Sequence, residues 1–78
     1  MWQEQNNTLY KKFTFSNFID AFSFMTKVAI IAEKMNHHPN WSNVYNAVEI
    51  SLSTHDAGDI VTEKDYELAK AIDGLSAE

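Results

Sequence analysis

The sequence predicts an α+β fold: a two-layer β-β-α-β-β-α arrangement, with an antiparallel four-stranded sheet and both helices on one face. Three observations carry that expectation. Residues 9–15 and 48–54 alternate apolar and polar side chains with the period of a half-buried strand. Between them runs a long stretch with helical apolar spacing that ends near Met35, and a shorter one closes the chain. Two helices laid on one face of an antiparallel sheet bury all four patterns at once.

The elements follow in order. Leu9, Lys11, Phe13 and Phe15 alternate with Tyr10, Lys12 and Thr14. Before them Gln5-Asn6-Asn7 has the composition of a hairpin turn, with Trp2 at the start of a short partner strand. Ser16 stands where the N-cap of the long helix belongs. On a 3.6-residue period Phe18, Phe22, Met25, Ala29 and Ala32 form its core stripe. Its polar strip (Asp20, Ser23, Lys27, Lys34) is narrow, flanked by Phe24 and Ile31 on one edge and by Ile19 and Ile30 on the other. Large apolar side chains on both shoulders of such a helix favour a subunit interface.

A short strand is expected over residues 41–45, with turn chemistry at 43–46. Val48, Ile50 and Leu52 then face the helices, while Glu49, Ser51, Ser53 and His55 take the opposite parity. Gly58-Asp59 breaks that strand. Thr62 with Asp65 approximates a capping box, and Tyr66, Leu68, Ala69, Ile72 and Leu75 fit a final helix with Gly74 near its end.

Seventy-eight residues make a single domain over 1–78 with one core. A chain this small buries only about 60% of its unfolded surface. It has no cysteine, so neither a disulfide nor a Cys-based metal site can help, and oligomerisation is the remaining common route to burial. The formal charge of -5 and the absence of arginine weigh against nucleic acid and anionic membranes as partners. No stretch approaches the roughly 20 apolar residues of a membrane span, and Gln3, Glu4 and Gln5 do not begin a signal peptide. A soluble, cytoplasmic protein is expected.

The chemistry concentrates in Glu33-Lys34-Met35-Asn36-His37-His38-Pro39-Asn40-Trp41 and Ser53-Thr54-His55-Asp56, which hold all three histidines. Imidazole exchanges a proton near neutrality. Pro39 pushes His38 into extended backbone, so the helix ends before the pair and the two side chains point apart. A site where helix end and strand end meet would combine His37, His38 and His55, with Trp41 as an apolar wall. A solvated turn is the plain alternative. A three-histidine zinc site is the sharper one, but adjacent histidines pointing apart make poor joint ligands. No metal is expected.

These residues resemble the pterin-4a-carbinolamine dehydratase family. The resemblance runs from Trp2 to about Leu75 through Phe13-x-Phe15, Ala21-Phe22-x-Phe24-Met25, Glu33-Lys34-x-x-His37-His38-Pro39-x-Trp41, Asn43-Val44-Tyr45-Asn46, Leu52-x-Thr54-His55 and Leu68-Ala69-x-x-Ile72. It implies the fold described above, here without the N-terminal helix that many members carry and with a longer connection after Thr54-His55. It implies dehydration of 4a-hydroxytetrahydropterin to quinonoid dihydropterin without cofactor, or a non-catalytic binding or assembly role in the same family. By motif, His37 and His55 would be the acid–base pair and His38 would hold substrate, making all three catalytic-site residues. Asn36, Trp41, Ser53, Thr54 and Asp56 would join them in binding the pterin. Glu33, one turn before His37, would support an imidazole. The family also implies a homotetramer built as a dimer of dimers.

Overall fold

In the computed structural model, residues 1–76 are described, and they adopt the predicted order. Strands β1 (Gln3–Gln5) and β2 (Thr8–Thr14) precede helix α1 (Phe18–Met35). Strands β3 (Asn40–Val44) and β4 (Ala47–Leu52) follow, then a single 3₁₀ turn (His55–Ala57) and helix α2 (Glu63–Ser76). The sheet is wholly antiparallel with strand order β1-β2-β4-β3.

Both hairpins depend on left-handed backbone. Asn6 and Asn7 have φ of 52° and 63°, the paired positive values of a type I′ turn, and asparagine tolerates that region better than most residues. Tyr45 (φ 51°) turns β3 into β4, where Asn43 Nδ2 donates to the carbonyls of Tyr45 and Ala47.

Parity sets the layers. Leu9 pairs with Leu52, Lys11 with Ile50 and Phe13 with Val48 on the helix side of the sheet. Together with Ala21, Phe24 and Val28 of α1 and Leu68, Ala69 and Ile72 of α2, these apolar residues form the core. On the opposite face Tyr10 donates to Glu49 Oε1 at 2.9 Å. Lys11 is the polar exception on the helix side. Its ammonium meets Asp73 at 2.9 Å and lies 4.8 Å from the Phe13 ring centroid, which keeps the charge paired while the stem covers apolar surface.

Two sequence expectations about α1 are corrected. Its N-cap is Asn17, not Ser16: Asn17 Oδ1 accepts from the Asp20 N–H at 2.8 Å, and the Asn17 carbonyl receives the Ala21 N–H. Either residue type caps well, and the backbone register selects the second. The core stripe is Ala21, Phe24, Val28 and Ala32, with Met25, Ile31 and Met35 packed at its margins. Phe18 and Phe22, read as core, are 44% and 54% exposed, whereas Phe24, read as a shoulder, is 5% exposed. Ala32 lies in the stripe as expected, whereas Ala21, left off it by the sequence pattern, is fully buried. The solvent-facing apolar strip is therefore Phe18, Ile19, Phe22 and Ile30, with the two phenyl rings 5.7 Å apart.

Candidate active site

Helix α1 ends in a left-handed cap. Asn36 (φ 54°) donates its N–H to the carbonyls of Ala32 and Glu33, and the His37 N–H donates to Ala32. The second bond reaches back five residues, as in a Schellman motif, and it throws the chain off the helix axis. His37 and His38 are thereby carried towards the end of β4. There the Thr54 N–H donates to the Ile60 carbonyl, and the Thr54 carbonyl accepts from Ala57 and Asp59. Those bonds fold residues 54–60 into the tight turn that bears His55. The two segments border a hollow of about 250 Å³ lined by Asn36, His37, His38, Ser53, Thr54, His55, Asp56 and Lys64.

Each histidine gives one ring nitrogen to a carboxylate. His37 Nε2 lies 2.5 Å from Asp65 Oδ1, His38 Nε2 lies 2.9 Å from Glu33 Oε1, and His55 Nδ1 lies 3.0 Å from Asp59 Oδ1. Ionised carboxylates only accept, so each pairing places the proton on the named nitrogen and leaves the other free. The Asp65 side chain is fully buried, and its second oxygen accepts from Thr54 Oγ1 at 2.9 Å and from the Thr62 N–H at 2.8 Å. Three donors compensate a carboxylate removed from water. Thr54 Oγ1 also meets Thr62 Oγ1 at 2.6 Å, so a continuous polar network ties the β4 end to the start of α2 and to His37. His55 and Asp59 stand in the open, with side chains 90% and 70% exposed. The Asp59 hydrogen bond raises the His55 pKa above its ordinary 6.5. The negative charges of Asp59 and Asp56 add to the effect, against a small opposing contribution from burial.

A profile of the pterin 4 alpha carbinolamine dehydratase family matches residues 1–75. The chain belongs to that family. A Prochlorococcus marinus protein, provisionally named a pterin-4-alpha-carbinolamine dehydratase, is 57% identical over 77 residues, covering 99% of this chain and 79% of its own length. The crystal structure of a transcriptional coactivator/pterin dehydratase from Brucella melitensis superimposes with a TM-score of 0.92 at 37% identity, covering 97% of this chain and 82% of that one. A pterin dehydratase-like protein described as a RuBisCO assembly factor in the alpha-carboxysome matches over 100% of this chain and 89% of its own, with a TM-score of 0.79. At 24% identity, that likeness is one of fold alone.

For this pterin dehydratase family member, the hollow gathers seven of the residues singled out from sequence: Asn36, His37, His38, Ser53, Thr54, His55 and Asp56. Trp41 is not among its lining. Paired with Ile50 across β3–β4, it packs half-buried against the core instead. Glu33 lies outside the lining too and meets His38 rather than His37, because the cap turns His37 away towards α2. Two residues were missed. Asp65 was read only as a helix cap, which is half its role. Lys64, beside it in the first turn of α2, carried no sequence signal beyond that adjacency. A larger hollow of about 630 Å³ opens among Lys11, Phe13, Phe15, Phe24 and Lys27, but no histidine reaches it. Among the described residues no cluster of three His, Asp or Glu side chains is arranged to hold a metal ion, and no helix is long and apolar enough to cross a membrane.

Proposed function

We propose that this chain dehydrates 4a-hydroxytetrahydropterin to quinonoid dihydropterin, with His37 and His55 as the acid–base pair. The observation that carries the reading is the meeting, in one hollow, of imidazoles with one nitrogen committed to a carboxylate and one free. In the reaction the C4a–OH bond breaks and the hydroxyl leaves as water after taking a proton from an acid. The N5 lone pair closes the N5=C4a double bond, and N5 gives its proton to a base. One proton is donated and one accepted, so no metal or organic cofactor is needed.

The two environments suit the two roles. His37, held through Nε2 by buried Asp65, keeps Nδ1 as a fixed acceptor, the arrangement of a general base oriented by a carboxylate. The raised pKa of His55 keeps more of it as imidazolium near neutrality and suits it to protonate the leaving hydroxyl. His38, tethered to Glu33, holds the substrate; Asn36, Ser53 and Asp56 meet the donors and acceptors of the pterin edge. Thr54 has its hydroxyl, N–H and carbonyl engaged within the protein, so it shapes the site rather than binding substrate. Trp41 packs against the core rather than walling the hollow, so its part is in the fold.

The exposed strip of Phe18, Ile19, Phe22 and Ile30 supports a homotetramer, assembled as a dimer of dimers by helix packing. Changing Ile19 and Ile30 together to Lys should dissociate it in light scattering. Phe24, a shoulder residue in the sequence pattern, is buried in the core and Ile31 packs at its margin, so charging those two should destabilise the subunit itself rather than report on assembly.

Stopped-flow decay of chemically generated 4a-hydroxytetrahydropterin tests the reading. Turnover above the uncatalysed decay that survives exhaustive chelation is expected. No acceleration would leave a non-catalytic binding or assembly role, and loss on chelation restored by zinc would move the chemistry to a metal.

A further inference from the structure

We propose that Asp59 is a positioning residue for His55, holding the ring through Nδ1–H so that Nε2 is the nitrogen that exchanges the proton with substrate. The inference rests on the dehydratase reading and adds to it a residue outside the lining of the hollow. Its first support is backbone. Asp59 follows Gly58 (φ 91°) and itself has φ 62°, so two successive residues are left-handed. Glycine would take the second position most readily, and aspartate is one of the few other residues that enters it at small cost, so the turn admits a carboxylate where most side chains would be excluded.

The second support is how firmly both partners are pinned. The Gly58 N–H closes on the His55 carbonyl at 3.0 Å and the Asp59 N–H on the Thr54 carbonyl at 3.0 Å, while the Thr54 N–H reaches Ile60 at 2.8 Å. Main-chain bonds thus bracket the His55–Asp59 pair on both sides. The two backbones are therefore fixed relative to each other, and only the short side chains of an exposed pair remain to be ordered by the hydrogen bond. Among the described residues nothing else fixes the His55 ring: its side chain is 90% exposed and its hydrogen bond is to Asp59.

The charged groups around His55 are Asp56 on the same turn, Lys64 at the start of α2, and His37 and His38 beyond the end of α1. The Asp59 hydrogen bond and charge are the leading causes of the raised His55 pKa, ahead of Asp56. A group whose pKa is raised holds its proton to higher pH. An acid role for His55 therefore fails on the alkaline side, and removing Asp59 should move that failure to lower pH.

The test uses the full chain, as wild type, Asp59→Asn and Asp59→Gly. Both replacements tolerate left-handed backbone, so neither should disturb the fold. Nitrogen NMR of His55 should show the Nδ1–H tautomer and a raised pKa in the wild type. With Asn the pKa should fall while much of the tautomer preference remains, and with Gly both should be lost. The alkaline limb of kcat/KM should move to lower pH in both variants, giving a severalfold loss in mildly alkaline solution and little change in mildly acidic solution. An unchanged His55 titration and tautomer in both variants would overturn the inference. Absence of turnover in the wild type would count against the dehydratase reading, and the NMR arm would still decide whether Asp59 holds His55.

Discussion

His37 and His55 each give one ring nitrogen to a carboxylate, but Asp65 is fully buried in the first turn of α2 while Asp59 stands on an exposed turn. At the first, orientation comes from packing: the His37 side chain is 11% exposed, and its partner is saturated by Thr54 and Thr62. At the second, orientation comes from main-chain bonds that bracket a solvated pair. The same pairing therefore does different work. Asp65 is as much a part of the folded core as of the site, and damage there should register as lost stability. Asp59 contributes to protonation, and damage there should register in pH dependence. Thr54 joins the two, its hydroxyl serving Asp65 and its backbone anchoring the His55 turn.

The largest effect that would break this contrast is at Asp65. Asp65→Ala leaves the Thr62 N–H, the Thr54 hydroxyl and His37 without their acceptor and should cost about 3 kcal/mol in urea denaturation. Asp59→Asn, which keeps a side chain tolerant of left-handed backbone, should leave the urea midpoint where it is. Equal effects at the two positions would mean that burial does not distinguish them. Next comes Thr54→Val, which removes one donor to Asp65 while keeping the shape of the side chain. It should lose about 1 kcal/mol and lower turnover at the His37 end without moving the alkaline limb set by His55. The smallest effect is expected at His38, whose partner among the described residues is exposed Glu33. His38→Ala should raise KM severalfold with kcat little changed. A collapse of kcat at constant KM would exchange its role with that of His37.

Much of the fold was legible because alternation and turn composition act locally. Phe13, Val48, Ile50 and Leu52 fall on the buried face that their parity assigns, and Asn6-Asn7 turns the first hairpin. The face of α1 was misread because helical period alone cannot tell Phe22 from Ala21. Which residue faces the sheet depends on how closely the layers approach. In the site, the separation of His37 from His38 expected from Pro39 agrees with their different carboxylate partners, Asp65 and Glu33. The partner of His37 was not legible, because Asp65 lies 28 residues away and its nearer, capping role explained it fully. Asp59 was read only as a strand breaker, since the left-handed conformation that brings it back onto His55 is set by the tight turn, not by its neighbours in sequence.

The central claim, that His37 and His55 act as one acid–base unit, is tested most directly by single-turnover kinetics on wild type, His37→Ala, His55→Ala and the double variant. Each single change should slow dehydration by on the order of 10²–10⁴-fold. His37→Ala should also lower stability by about 1 kcal/mol, because it strips a donor from buried Asp65, so its folded fraction must be checked alongside. The sequence alone, which sets His37 in a turn outside the core, gave no reason to expect that loss. The double variant should be no slower than the slower single, since removing either member already disables the unit. Near-wild-type turnover in either single variant, with the protein folded, would contradict the account.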